Sequence, residues 1–153
     1  MAYQFGKSSI QKLQGVHPDL VKVMNLAIQK SSQDFSITEG VRTLERQKEL
    51  LAKKLTQTLK SNHLKQEDGF GHAVDVAPYP LSWDLAKFYP IVEAVRAAAK
   101  ELGVRVRWGG AWAVLNDPSN ASKSPKDLVN EYSAERRKLG KKAFIDGPHF
   151  ELY

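Results

Sequence analysis

Apolar and polar positions follow two periods along this chain, one helical and one strand-like, and the switches between them mark the elements. Residues 1–16 are polar and weakly patterned, and read as a lead-in loop or short helix. His17-Pro18-Asp19 then opens a helix, because proline is tolerated at the first helical position and an acid suits the first turn. Leu20, Val21, Met24, Ala27 and Ile28 share one face of it, to about Lys30. After a polar turn at Ser31 to Asp34, Phe35-Ser36-Ile37-Thr38 alternates as a short strand ended by Glu39-Gly40. Thr43 is placed to cap a helix from Leu44 to Leu55, with Leu44, Leu51 and Leu55 turned inward. Thr56 to Gly71 is mostly polar and reads as a loop feeding an apolar strand at residues 73–77.

Pro78 and Pro80 stop that strand, and Ser82-Trp83-Asp84 begins a turn or short helix. Pro90 to Leu102 carries the strongest helical pattern, with Ile91, Val92, Val95, Ala98 and Leu102 on its face and Gly103 as its cap. Val104 to Trp108 alternates as a half-buried strand, and Gly109-Gly110-Ala111-Trp112 is a tight turn. Asn116 to Ser124 reads as an exposed loop. A helix runs from Ser124 to about Leu139, where Gly140 breaks it, and His149 to Tyr153 forms a terminal strand.

At 153 residues the chain is expected to be a single domain, 1–153, burying roughly two thirds of its unfolded surface. It has no cysteine, so disulfides and thiolate metal sites are excluded, and any metal must be held by histidine and carboxylate. The start has no apolar core of signal-peptide length, and no stretch approaches the ~20 apolar residues of a membrane span. Synthesis in the cytoplasm without a membrane anchor is therefore expected. The net charge of +6 suits a polyanionic partner, whether nucleic acid, anionic lipid or cell-wall polymer. The plainer reading of that charge is solubility.

Candidate chemistry gathers around Ser61 to Asp75. Asp75 lies in the run Ala73-Val74-Asp75-Val76-Ala77, where a bare carboxylate would cost several kcal/mol and needs a partner, a metal or a proton. Zinc is the leading partner, with His63 on the preceding loop and His149 near the C-terminus as its other ligands. The alternative is a hydrogen-bonded core pair of Asp and His. His72 stands three residues before Asp75 and so faces the opposite side of a regular strand, which makes it the poorer co-ligand. His17 is expected only to pack or cap. His149 and Glu151 share a face. Asp146 can lie beside the metal without binding it and move a proton. Arg42 can steady a developing oxyanion, or simply pair with Glu39 or Glu45.

Ser61-Asn62-His63, Gly71-His72-Ala73-Val74-Asp75 and Asp146-Gly147-Pro148-His149-Phe150-Glu151 together resemble the LAS zinc peptidases. These are the D-alanyl-D-alanine carboxypeptidases and dipeptidases and the L-alanyl-D-glutamate endopeptidases, and the likeness is strongest to small single-domain bacteriophage endolysins. Phe35 to Thr43 resembles their first strand and arginine, and Trp108 to Trp112 their Trp-Gly-Gly-Asp-Trp turn, with Ala111 in place of the acid. The loop between His63 and Asp75 is longer than the family's by about five residues, an insertion that costs little in closure entropy. Residues 116–140 have no counterpart in the pattern, leaving a flap over the site or a wall-binding face as their expected roles.

The resemblance implies an α+β fold, with an antiparallel sheet packed by helices as in the hedgehog and D-Ala-D-Ala peptidases. It implies His63, Asp75 and His149 as zinc ligands, Asp146 as general base and acid, and Arg42 on the scissile carbonyl. It further implies hydrolysis of the L-alanyl-D-glutamate bond of peptidoglycan by a monomeric endolysin, released to the wall through a separate holin-type pore. No nucleic-acid partner is then expected. Two alternatives remain: a D,D- or L,D-carboxypeptidase of the same fold, which would normally need export, and an inactive wall-binding module. A degenerate site should lose one of His63, Asp75, Asp146 and His149, and all are present.

Overall fold

A computed structural model describes residues 2–56 and 60–153; Met1 of the lead-in and residues 57–59 of the expected 56–71 loop lie outside the described residues. Among the described residues the strands are β1 (Phe35–Glu39), β2 (Ala73–Pro78), β3 (Val106–Trp108), β4 (Ala113–Val114) and β5 (His149–Leu152). They form one sheet in the order β1-β2-β5-β3-β4, with every neighbouring pair antiparallel. The helices are α1 (Lys7–Lys12), α2 (Pro18–Lys30), α3 (Leu44–Ala52), α4 (Leu85–Leu102) and α5 (Pro125–Lys138). This is the α+β arrangement expected. No helix among the described residues is long and apolar enough to cross a membrane.

Strand alternation gives the sheet two unlike faces. Ile37, Val74, Val76, Val106, Trp108 and Phe150 join Leu20, Val23 and Met24 of α2 and Ile91, Val92 and Val95 of α4 in one buried cluster. The intervening residues, Asp75 on β2, His149 and Glu151 on β5 and Arg107 on β3, belong to the other face. Register then sets the neighbours: Asp75 opposes His149, while Glu151 stands between Ala73 and Arg107. A bulge between Ile37 and Glu39 brings Glu39 rather than Thr38 opposite Asp75, so the irregularity re-aims a carboxylate onto the polar face.

Several elements depart from the sequence pattern. In α3 the buried residues are Gln47 and Leu50, whereas Leu44 and Leu55 are exposed and Leu51 is half-buried. The helix turns a polar residue inward because Gln47 Oε1 accepts from Arg42 Nη1. It also ends at Ala52 rather than Leu55. Lys54 adopts a left-handed φ of 58°, and the Leu55 and Lys54 N–H groups close back on the Leu50 and Leu51 carbonyls.

Helix α4 begins at Leu85, ahead of the expected Pro90, which lies inside it. Asp84 caps the start by accepting from the Ala86 N–H at 3.1 Å. Proline removes one helical hydrogen bond there, and burial of Phe88 under Trp83 offsets that loss. Strand β3 begins at Val106 rather than Val104, and the short partner β4 has too few residues to show a period. Residues 116–140 do not form a flap. Leu128 and Val129 of α5 join the core cluster, and Tyr132 accepts a 3.0 Å hydrogen bond from the Phe144 N–H.

Candidate active site

A cavity of about 680 Å³ opens on the polar face, lined by Arg42, His63, Asp75, Asp146 and His149 among others. All five candidate residues from the sequence therefore meet in one place. The ring nitrogens of His63 and His149 and a carboxylate oxygen of Asp75 lie within 4.8 Å of one another. His63 Nε2 is 3.1 Å from Asp75 Oδ1, His149 Nδ1 is 3.2 Å from the same oxygen, and the two nitrogens are 3.2 Å apart.

The tautomers follow from the outer contacts. His63 Nδ1 is 2.8 Å from the Gly40 carbonyl and donates to it, which leaves the Nε2 lone pair facing inward. Gly40 can offer that carbonyl only because it has no side chain: a Cβ there would overlap the Lys12 carbonyl oxygen at 1.9 Å. His149 Nε2 donates to Glu151 Oε1 at 2.6 Å, turning Nδ1 inward. Two lone pairs and a carboxylate oxygen thus converge on one point. They repel one another unless a proton or a cation sits among them, so the donor set fits a divalent metal bound by nitrogen and oxygen.

Burial pushes the pKa of Asp75 up, but its contacts with His149 and then His63 outweigh it and hold the carboxyl well below the usual range. Burial works against the charge on His149 too, yet its bonds to Asp75 and Glu151 raise it to about 9. Glu151 is lowered despite burial by His149 and by Arg107, whose Nη2 donates to it at 2.7 Å. Asp146 moves the opposite way. Burial and the neighbouring Asp75 charge raise its carboxyl.

These shifts set a pH window for the metal-free fold. The raised His149 contributes stability that is full below its unfolded value of 6.5 and is lost as pH rises through about 9. The depressed Asp75 contributes above 3.8 and loses that contribution only far into acid. Chelated protein should therefore lose up to about 3 kcal/mol between pH 6 and pH 10, and His149→Gln should remove that decline. Melting curves recorded across the range with a chelator present decide it; an equal decline in the variant would count against the His149 proton.

Arg42 is 9% exposed and lies inside rather than at the surface. It does pair with Glu39, as its plainer reading held, but not with Glu45. Its Nη1 donates to Gln47 Oε1 at 2.7 Å, and Nη2 is 3.8 Å from Asp75 Oδ2. His72 stays outside the group, with Nε2 bound to Asp68 Oδ2 at 2.7 Å. His17 caps α2 by accepting from the Asp19 N–H. Asp146 is placed by a backbone clasp: its N–H donates to the Gly109 carbonyl, and its own carbonyl accepts from the His149 N–H. Gly109 permits the approach, since a Cβ there would sit 2.6 Å from the Asp146 carbonyl oxygen and 2.9 Å from the His149 Cβ.

Gln47, Glu151, Arg107, Trp112 and Phe144 were not singled out by the sequence as site residues. The shared face of His149 and Glu151 was the available signal for Glu151. Trp112 takes a left-handed φ of 50°, rare outside glycine, and donates from Nε1 to the Phe144 carbonyl at 2.7 Å. Its ring stacks on Phe144 and tilts against His149, with centroids 6.1 and 5.4 Å away. The aromatic pair forms a wall of the cavity.

Fold and site together define a small α+β domain with a His-Asp-His group able to hold a metal on the open face of its sheet. The whole chain, residues 1–153, matches the sequence model of the phage L-alanyl-D-glutamate peptidases. It is 33% identical over 159 aligned positions to the L-alanyl-D-glutamate peptidase of Escherichia phage T5, covering 99% of each chain. The crystal structure of the Serratia marcescens L-Ala D-Glu endopeptidase ChiX is similar at a TM-score of 0.71 and 36% identity, over 99% of this chain and 91% of that one. The chain belongs to the phage L-alanyl-D-glutamate peptidase family, as the motif resemblance implied.

Proposed function

We propose that the protein is a zinc-dependent endopeptidase that cuts the L-alanyl-D-glutamate amide bond of peptidoglycan. The observation that carries this reading is the convergence of His63 Nε2, Asp75 Oδ1 and His149 Nδ1 on one point beside a second carboxylate, Asp146. His63, Asp75 and His149 would hold the metal through the three converging atoms. When bound, zinc supplies the Lewis acidity that makes water a usable nucleophile near neutral pH. Asp146 would take a proton from the attacking water and return it to the departing amine of the D-glutamate residue; its raised pKa suits both transfers. Arg42, held by Glu39 and Gln47, steadies the negative charge that develops on the scissile carbonyl oxygen. Glu151 fixes the His149 tautomer. Synthesis in the host cytoplasm and release to the wall through a separate pore belong to the same reading.

The test is digestion of purified peptidoglycan with end-group analysis. New N-terminal D-glutamate should appear with about one zinc per chain, vanish on chelation and return when zinc is restored. Free D-alanine without new D-glutamate ends would replace this reading with a carboxypeptidase.

A further inference from the structure

We infer that Arg107 binds the free carboxylate of the D-glutamate residue on the amine side of the cleaved bond, and so makes the enzyme selective for the acid over its amide. The inference rests on the proposed reaction. A D-glutamate acylated on nitrogen has two carboxyl groups, and whichever continues the chain, the other remains an anion within a few bonds of the scissile nitrogen. The cavity that must receive it is lined by Glu39, Asp75, Asp146 and Glu151. Bringing another carboxylate among these groups is unfavourable unless a cation meets it.

Three cationic side chains line the cavity: Arg42, Lys60 and Arg107. Arg42 is nearly buried and already engaged by Glu39, Gln47 and Asp75. Arg107 is differently placed. Its side chain is one-third exposed (33%), and Nε and Nη2 both donate to the same oxygen, Glu151 Oε2, at 3.0 and 2.7 Å. Among the described residues its Nη1 has no hydrogen-bond partner. The guanidinium lies over the Trp112 and Tyr153 rings at 5.6 and 5.5 Å, which fixes its plane. The other Glu151 oxygen holds His149, so Arg107 stands one carboxylate away from a residue of the metal group. A planar fork with N–H groups to spare, at that reach, matches a free carboxylate within a few bonds of the scissile nitrogen. Lys60 offers a charge without the fork.

The test uses two synthetic substrates that differ only in whether the free D-glutamate carboxyl is acid or carboxamide. Wild-type protein should favour the acid by about tenfold to a hundredfold in kcat/KM. Arg107→Gln should bring that ratio towards one, and Arg107→Lys should restore part of it. Zinc content is measured alongside, to separate this from damage to the Glu151–His149 pair. Calorimetry with the amine-side product and its amide gives the same comparison where turnover is slow. Equal cleavage of both substrates by the wild type overturns the inference. So does a preference that survives Arg107→Gln, or one lost in Lys60→Gln instead. Cleavage of neither substrate by zinc-loaded wild type fells the functional reading beneath it.

Discussion

Asp146→Ala should keep its zinc and lose turnover by about 10²- to 10⁴-fold, the span of a positioned general acid–base. Its carboxylate is not among the three ligand atoms that converge, so removing it leaves the metal group whole. Nor should the local backbone change, because the clasp to Gly109 and His149 uses the Asp146 main chain, not its side chain. What disappears is a carboxyl whose pKa burial and the Asp75 charge push upward. Asp75 is depressed and Glu151 is lowered, so neither is placed to pick up a proton near neutral pH and return it. Asp146→Asn separates shape from charge and should be nearly as slow. Zinc per chain by metal analysis, read beside kcat/KM on a stem-peptide substrate, checks both halves. Full activity in Asp146→Ala would remove it from the role of base.

The same region shows what sequence can and cannot carry. Asp75 was conspicuous because a charge interrupts an apolar run, and that incongruity survives without coordinates. His149 and Glu151 were legible as sharing a face, since strand alternation is strictly local. What holds them was not. The antiparallel register that sets Asp75 against His149 and Glu151 against Arg107 joins residues far apart in the chain, and no local period encodes it. The bulge that presents Glu39 is likewise invisible to a rule of two.

Helix α3 erred for a related reason. Leucines at helical spacing predict an inward stripe, and the stripe would be right if the helix only covered a core. Here it buries Gln47, because Arg42 needs an acceptor at 2.7 Å beside a site where a loose cation would wander. A tertiary demand thus overrode the apolar pattern. Pro90 misled in the opposite sense. The strongest helical pattern begins at it, whereas the Asp84 cap and the burial of Phe88 carry α4 through it.

His63→Ala and His72→Ala should behave as opposites. His63 is 2% exposed and its Nε2 faces Asp75 and His149. Outer partners of a metal ligand are worth about 10- to 100-fold in metal affinity, so losing the ligand itself should cost more than about a hundredfold. Turnover should go with the metal. The fold pays as well, since the Gly40 carbonyl is left without its imidazole donor, at about 1–3 kcal/mol. His72 sits in a half-exposed pair with Asp68, and removing it should cost under about 1 kcal/mol while zinc and turnover persist. The long loop between His63 and Asp75 accounts for the nearer histidine, His72, standing outside the convergent group. The His72 N–H donates to the Asn62 carbonyl, and the Arg42 N–H to that of His63, so the loop returns His63 to the sheet. Meanwhile Asp68, within the loop, draws the His72 ring aside. Metal analysis and lysis assays on the two variants discriminate directly: zinc lost with His72 and kept without His63 would reassign the first ligand.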